Sequence, residues 1–347
     1  MFLVNGHNET SSCVLEESNV RKAMCSVLLS FVIVVGGFGN VFMSFMVFRH
    51  TEMRSAINIL LAVMSISDGL ISILCAPLDL TTVIMNKWVF GNIICCAHNF
   101  LLSVFVVHNI IILVIISTDR YYILVNKKGL LKNCNSFALI VCSFALAVAA
   151  SSPPVFGVGQ FPFSNGYCAR TSTNEIQDIV YYGVFSSLLF VLPCGLMFVA
   201  YVYIIVNLKK RTLTVRPEIQ HGSPSGLFVM HQGIDVRFKQ KTFTTILFLY
   251  LAIVIFKMPM AISLLSMSVQ ESVRCPISLW LIVLTYLNSA INPFIYVFKI
   301  TTYWMALTGK FYSVRKNVIN WKQTSVRRHP ENIYGVRVTR PSKTSII

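Results

Sequence analysis

Seven long apolar runs constrain this chain more than any other feature. They fall at roughly 24–49, 57–84, 93–122, 137–156, 177–208, 240–268 and 277–299. Each can cross a hydrocarbon layer about 30 Å thick as a helix, at about 1.5 Å of rise per residue. A segment surrounded by lipid must satisfy its own backbone N–H and C=O groups, which a helix does. The fourth run is the weakest, because Pro153-Pro154 interrupts it. The third organises the rest. It carries Cys95 near one end and stops abruptly in Asp119-Arg120-Tyr121 at the other, where such a helix meets headgroups and water.

Orientation follows from charge. Most of the 29 Lys and Arg residues, including Arg49, Arg54, Lys127, Lys128, Lys209, Lys210 and Arg211, fall in loops on one side. Basic loops mark the cytoplasmic face. The N-terminus is therefore expected outside and the C-terminus inside, in a multi-pass protein of the plasma membrane. The formal charge of +16 does not point to nucleic acid, because the basic residues neither build a soluble domain nor interleave with a stacking platform. No apolar core of a cleavable signal peptide occurs in Met1–Lys22. The spans hold no paired catalytic acids, no Ser/His pair and no H-E-x-x-H, so an enzyme is not expected. They also lack the duplicated, broken-helix pattern of a transporter, which leaves that as the less favoured alternative.

The remaining segments divide the chain. Residues 1–23 read as an extracellular arm in which Asn8-Glu9-Thr10 is a glycosylation acceptor at Asn8. Residues 24–300 hold the seven spans. Between the fifth and sixth lies a linker with Arg216-Pro217 and a Gly/Ser/Pro-rich patch, His221–Gly226. In residues 301–321, Tyr303, Trp304, Leu307, Phe311, Val314 and Val318 recur at helical spacing, with Lys310, Arg315 and Lys316 between them. That pattern predicts an amphipathic eighth helix on the inner leaflet, held partly by anionic lipid. Residues 322–347 read as a disordered tail. Its ending, Ser345-Ile346-Ile347, suits a PDZ-type domain that captures a free carboxylate. The expected fold class is thus an all-α membrane protein, a seven-transmembrane helix bundle with an amphipathic eighth helix.

Several markers stand in order, each on its expected span: Gly39-Asn40, Asp68, Trp88-x-Phe90-Gly91, Asp119-Arg120-Tyr121, Pro193, Tyr201, Pro259 and Asn292-Pro293-Phe294-Ile295-Tyr296. With them the chain resembles a rhodopsin-like (class A) G-protein-coupled receptor over about residues 24–312. More narrowly, Met53–Asn58 and Phe238–Leu247 resemble a small orphan subgroup associated with lysophospholipid-type ligands.

The resemblance implies site residues. Cys95 would pair with Cys168 in a disulfide, with Cys96 as the competing choice. Cys13 and Cys275, both outside, form a candidate second bridge. Cys25, Cys75, Cys142 and Cys194 would be core residues. Asp68, with Asn109, Asn288 and Asn292, would hold a sodium ion or a water-filled polar network; no other cofactor or metal is expected. Asp119, Arg120 and Tyr121, with Tyr201, Asn292, Pro293 and Tyr296, would form the coupling end, and Pro193, Pro259 and Pro293 would bend their spans. Partners implied are a heterotrimeric G protein, arrestin-type regulators, membrane lipid and an unidentified ligand.

The chain also departs from the family pattern. Lys257 stands where a tryptophan is usual, and a mid-span lysine needs a partner. Three readings are open: an ion pair with Asp68 in place of sodium, an ion pair with Asp79, or an anionic ligand headgroup. Lys239 replaces the span-six acid that would restrain Arg120, so a constitutively active receptor, or a receptor-shaped protein that does not couple, is the alternative. Leu102 replaces the acid that amine ligands need, and Tyr286 the lysine that retinal needs. Phe144 replaces a span-four tryptophan. Asp79, His98, Asn99, Leu102, Lys257 and Tyr286 are pocket residues by position.

Overall fold

In the third helix every residue from Val104 to Ile110 is buried, so this rod is enclosed on all sides. A computed structural model describes residues 19–126, 131, 136–156, 163–164, 167–168, 175–214, 244–265 and 271–299. Seven described helices are long and apolar enough to span a membrane: α1 Asn19–Arg49, α2 Ala56–Met85, α3 Gly91–Ile123, α4 Ser136–Phe156, α5 Val180–Asn207, α6 Thr244–Ser263 and α7 Leu279–Phe298. Helix α3 packs against α2, α4 and α5, while α1 meets α2 and α7, and α6 meets α5 and α7. Large apolar side chains such as Phe38, Ile93, Phe156 and Phe298 point out of the bundle, as lipid rather than water requires. The bundle belongs to one unit, Met1–Ile300. The expectations for Asn8, Cys13, Lys239, the eighth helix, the tail and Ser345–Ile347 fall outside the described residues, as do residues 238–243 of the Phe238–Leu247 stretch and the side chain of Cys275.

Small residues set the closest helix approaches. A Cβ on Gly39 would lie 2.8 Å from the Pro293 ring, so α1 and α7 touch there through a hydrogen atom. Next to it, buried Asn40 donates to the Gly36 carbonyl at 2.8 Å and to the Ser289 carbonyl at 2.7 Å. A side-chain amide thus bridges two helices where a backbone acceptor would otherwise be left without a donor. On the inner side, Ser55 caps α2 by accepting from the Asn58 amide. Asn58 donates to the Met53 carbonyl and Arg54 to the Phe48 carbonyl. The Met53–Asn58 stretch is therefore a hydrogen-bonded turn between α1 and α2.

Three helices contain a widened π turn: Val32–Gly36 in α1, Ile71–Cys75 in α2 and Ser187–Val191 in α5. Such a turn inserts a residue and rotates everything beyond it. In α2 it lies between Asp68 and Asp79. The α5 turn precedes Pro193, and the helical assignment of α6 breaks at Lys257, two residues before Pro259. Helix assignment runs through Pro293 without a break. Beyond α2, Asn86 is left-handed (φ 51°) and Gly91 has φ 79°, a conformation that explains the glycine before α3. Trp88 donates to the Gly91 carbonyl at 2.9 Å, closing that turn. Phe163–Ser164 (β1) and Tyr167–Cys168 (β2) form a two-stranded antiparallel hairpin. Of the four cysteines expected in the core, Cys25, Cys75 and Cys194 are buried but Cys142 is exposed on α4, the helix with the least buried span.

Candidate functional site

The polar side chains inside the bundle gather at three levels, each built around one carboxylate. At the inner end Asp119 is almost wholly buried, and its Oδ2 accepts from Arg120 at 2.9 Å. Its Oδ1 accepts from the Leu131 backbone amide at 2.8 Å. One carboxylate therefore holds both the arginine and the Leu131 amide beyond α3, and motif position alone does not show the second role. Tyr201 shares a 2.7 Å hydrogen bond with Ser117, which also donates to the Met197 sulfur. Tyr201 stacks at 5.1 Å on Tyr250, Tyr296 is buried in α7, and Tyr121 rests against Tyr203. In this arrangement Tyr201 is engaged by Ser117 on α3.

At mid-depth Asp68 is fully buried. It accepts from Asn109 at 2.9 Å, Ser289 at 2.8 Å and Asn292 at 2.6 Å. Asn109 and Asn292 stand where expected, but the third donor is Ser289 rather than Asn288. Consecutive helical residues point about 100° apart, so only one of the two can face α2. Asn288 is buried nearby on α7, and its carbonyl oxygen has no hydrogen-bond partner among the described residues; the same holds for the Asn109 carbonyl oxygen.

Lys257 is buried, and its ammonium likewise has no hydrogen-bond partner among the described residues. Lys257 forms an ion pair with neither Asp68 nor Asp79 in this structure, and Asp79 is engaged by other side chains. Asp79 forms the third level, accepting from Tyr286 at 2.5 Å and lying 3.2 Å from His98 Nε2. His98 is also 3.2 Å from the Tyr286 hydroxyl. Three of the residues grouped as pocket positions thus form one cluster joining α2, α3 and α7. The His98 ring packs on Trp88. Asn99 donates to the Cys95 carbonyl at 3.0 Å and lies 3.0 Å from the Cys168 sulfur. Leu102 is half-buried on α3.

Cys95 and Cys168 are disulfide-bonded, with Cα atoms 5.5 Å apart. Cys96, on the adjacent position, lies outside the bridge, its thiol 3.8 Å from the Asn92 side-chain oxygen. The bridge joins the β-hairpin to the outer end of α3. Phe144 packs edge-on against His108, which in turn lies 3.2 Å from the Ser67 hydroxyl. A histidine that sequence reading passed over therefore links α2 and α4 through α3. No cluster of three metal-ligating side chains occurs among the described residues.

A bundle of seven membrane-crossing helices, with a bridged outer loop and an arginine–carboxylate pair at its inner mouth, is the architecture of a signal-transducing membrane receptor. Comparison with known proteins gives the same class. Residues 39–296 match the family described as 7 transmembrane receptor (rhodopsin family). The chain is 29% identical over 336 residues to a high-affinity lysophosphatidic acid receptor of Xenopus laevis, covering 91% of this chain and 90% of the relative. It is 30% identical over 291 residues to probable G-protein coupled receptor 63 of Homo sapiens, covering 79% and 70%. It is 27% identical over 315 residues to probable G-protein coupled receptor 45 of Homo sapiens, covering 86% and 85%. The chain belongs to the rhodopsin family of seven-transmembrane receptors. It is accordingly a multi-pass receptor of the plasma membrane that signals through heterotrimeric G proteins.

Proposed function

We propose that this receptor responds to a lysophospholipid-type ligand at its bridged outer end and signals through release of Arg120 from Asp119. The observation that carries the reading is the Asp119–Arg120 pair itself, 2.9 Å apart at the foot of the central helix. Among the described residues no second acid restrains Arg120 from another helix, which supports a receptor with raised basal signalling. The ligand class rests on similarity to the lysophosphatidic acid receptor of Xenopus laevis. Leu102 and Tyr286 weigh against amine and retinal ligands.

In this reading the N-terminus is extracellular. Asn8 is glycosylated there, and Cys13 and Cys275 remain a second pairing to test. Activation moves the inner part of α6 outward, since Pro259 leaves the Ile255 carbonyl without its helical donor. Tyr201 leaves Ser117 and, with Tyr296, closes on Arg120; Asn292 and Pro293 provide the adjoining segment of α7. The opened mouth receives a helix of the Gα subunit, and arrestin-type regulators, inner-leaflet lipid and a PDZ-type domain at the tail are further partners. The protein acts by changing shape and carries out no chemistry on a substrate.

The test is nucleotide exchange on a Gα subunit with membranes containing the full chain, with and without lysophosphatidic acid. Exchange above that of empty membranes, raised by the lipid and lost in Arg120→Ala, is the expected result. Equal exchange in the wild type and Arg120→Ala would overturn the role of Arg120. A basal signal indifferent to the lipid would overturn the ligand class alone.

A further inference from the structure

The resemblance implies a sodium ion beside Asp68, and the residues present do not fit one. All three hydrogen bonds on the carboxylate come from N–H or O–H donors: Asn109, Ser289 and Asn292. That donor set suits an ionised Asp68, and a fully buried carboxylate needs a positive charge near it. Lys257 is the only Lys or Arg in the buried class among the described residues. Arg120 is committed to Asp119, and His98, in either protonation state, to Asp79. A free cation at Asp68 would leave the Lys257 ammonium buried without a counterion.

We propose that the Lys257 ammonium is the resident counterion of Asp68, tethered to the bend of α6 in the place where relatives would bind sodium. The geometry supplies what an ammonium there requires. Lys257 sits in the non-helical residue between the two halves of α6, and its backbone still bonds to Ile253 and Ala261, at 2.8 and 3.2 Å. Its side chain is thus placed by the hinge itself. The buried carbonyl oxygens of Asn109 and Asn288 are acceptors without a donor among the described residues, and Asn109 already touches Asp68 through its amide nitrogen. The ammonium makes no hydrogen bond or ion pair among the described residues, so it acts on the carboxylate through space, and these oxygens are the acceptors left open in the same interior. Unlike a diffusible ion, this cation cannot leave. It links α6 to α2 permanently, and its strength does not vary with salt composition.

The experiment compares melting temperatures of the purified full-length chain in sodium chloride and in choline chloride at equal ionic strength. It does not depend on the ligand, on the G protein or on the role proposed for Arg120. The wild type and Lys257→Arg should melt at the same temperature in both salts. Lys257→Met should gain a sodium-dependent rise of about 4 °C, because a ligand present well above its dissociation constant stabilises the state that binds it. Asp68→Asn added to Lys257→Met should remove that rise. A wild type stabilised by sodium overturns the proposal without any variant, and so does a folded Lys257→Met that is indifferent to sodium.

Discussion

Replacing Asp119 by asparagine should raise basal signalling about tenfold. The side chain is almost enclosed, and its two oxygens have different tasks. Oδ1 takes the Leu131 amide at 2.8 Å and Oδ2 takes Arg120 at 2.9 Å. Asparagine can keep the first bond through its carbonyl oxygen. Its NH2 group then faces the guanidinium, donor against donor, and the charge attraction is gone. A hydrogen bond to a charged partner contributes about 1.5–3 kcal/mol net. Arg120 retains some access to water, so the lower end applies, about 1.5 kcal/mol or roughly tenfold in the resting-to-active ratio. The assay is nucleotide exchange without ligand at matched surface expression. Basal exchange in Asp119→Asn equal to the wild type would refute the restraint, provided the variant reaches the surface. Asp119→Ala separates the two tasks. It also frees Arg120 but leaves the Leu131 amide without its acceptor, so it should reach the surface in smaller amounts than Asp119→Asn at a similar basal rate per receptor. Adding Arg120→Ala to either variant should abolish the gain.

Three further outcomes follow from particular contacts. Gly39→Val should lower the melting temperature by several degrees or abolish surface expression, because its first side-chain carbon would stand 2.8 Å from a proline ring that cannot rotate away; thermal denaturation checks this, and an unchanged melting temperature would contradict the contact. Tyr286→Phe should cost about 1 kcal/mol of stability by leaving Asp79 with His98 alone, and should weaken ligand response more than it lowers expression, as paired surface-labelling and dose–response measurements would show. Cys168→Ser should release the β-hairpin from α3 and leave the Asn99 amide without its sulfur contact; the wild type should lose ligand response on mild reduction, whereas the variant should be indifferent to the reductant.

Most of the architecture was legible because lipid imposes one rule on every span. Helix positions agree with the apolar runs to within a few residues, the largest gain being the start of α1 at Asn19, where a polar first turn hides the helix from a hydropathy reading. The disulfide and the Asp119–Arg120 pair were readable from motif position. What was not legible was hidden for want of angular information. Ser289 and Asn288 are neighbours in sequence and both polar, and only the rotation of α7 decides which one meets Asp68. The partners of Asp79 were hidden for a related reason. The π turn at Ile71–Cys75 lies between the two acids of α2, and no residue in it signals a widened turn. Asp79 meets His98 on α3 and Tyr286 on α7. The Leu131 and Ser117 contacts involve a backbone amide and a common serine, neither of which stands out in a sequence.

The three carboxylates inside the bundle have three different bases, and the order follows the demands of each level. At the inner mouth the partner must remain charged after it is released into a protein interface, which suits the guanidinium of Arg120. At the outer end the partner shares its acid with a phenol, and the neutral and charged forms of His98 can both hydrogen-bond to Asp79. The middle level lies furthest from water on either side. A carboxylate there cannot draw a counterion cheaply from bulk, so a base built into the chain removes the need to dehydrate one. Because that base sits at the bend of α6, displacing the inner half of α6 pulls on the same side chain that neutralises Asp68. Outward motion of the helix and rearrangement of the Asn109–Ser289–Asn292 network are then one event, and a substitution at any of these three residues should alter the basal balance even though none reaches the G protein.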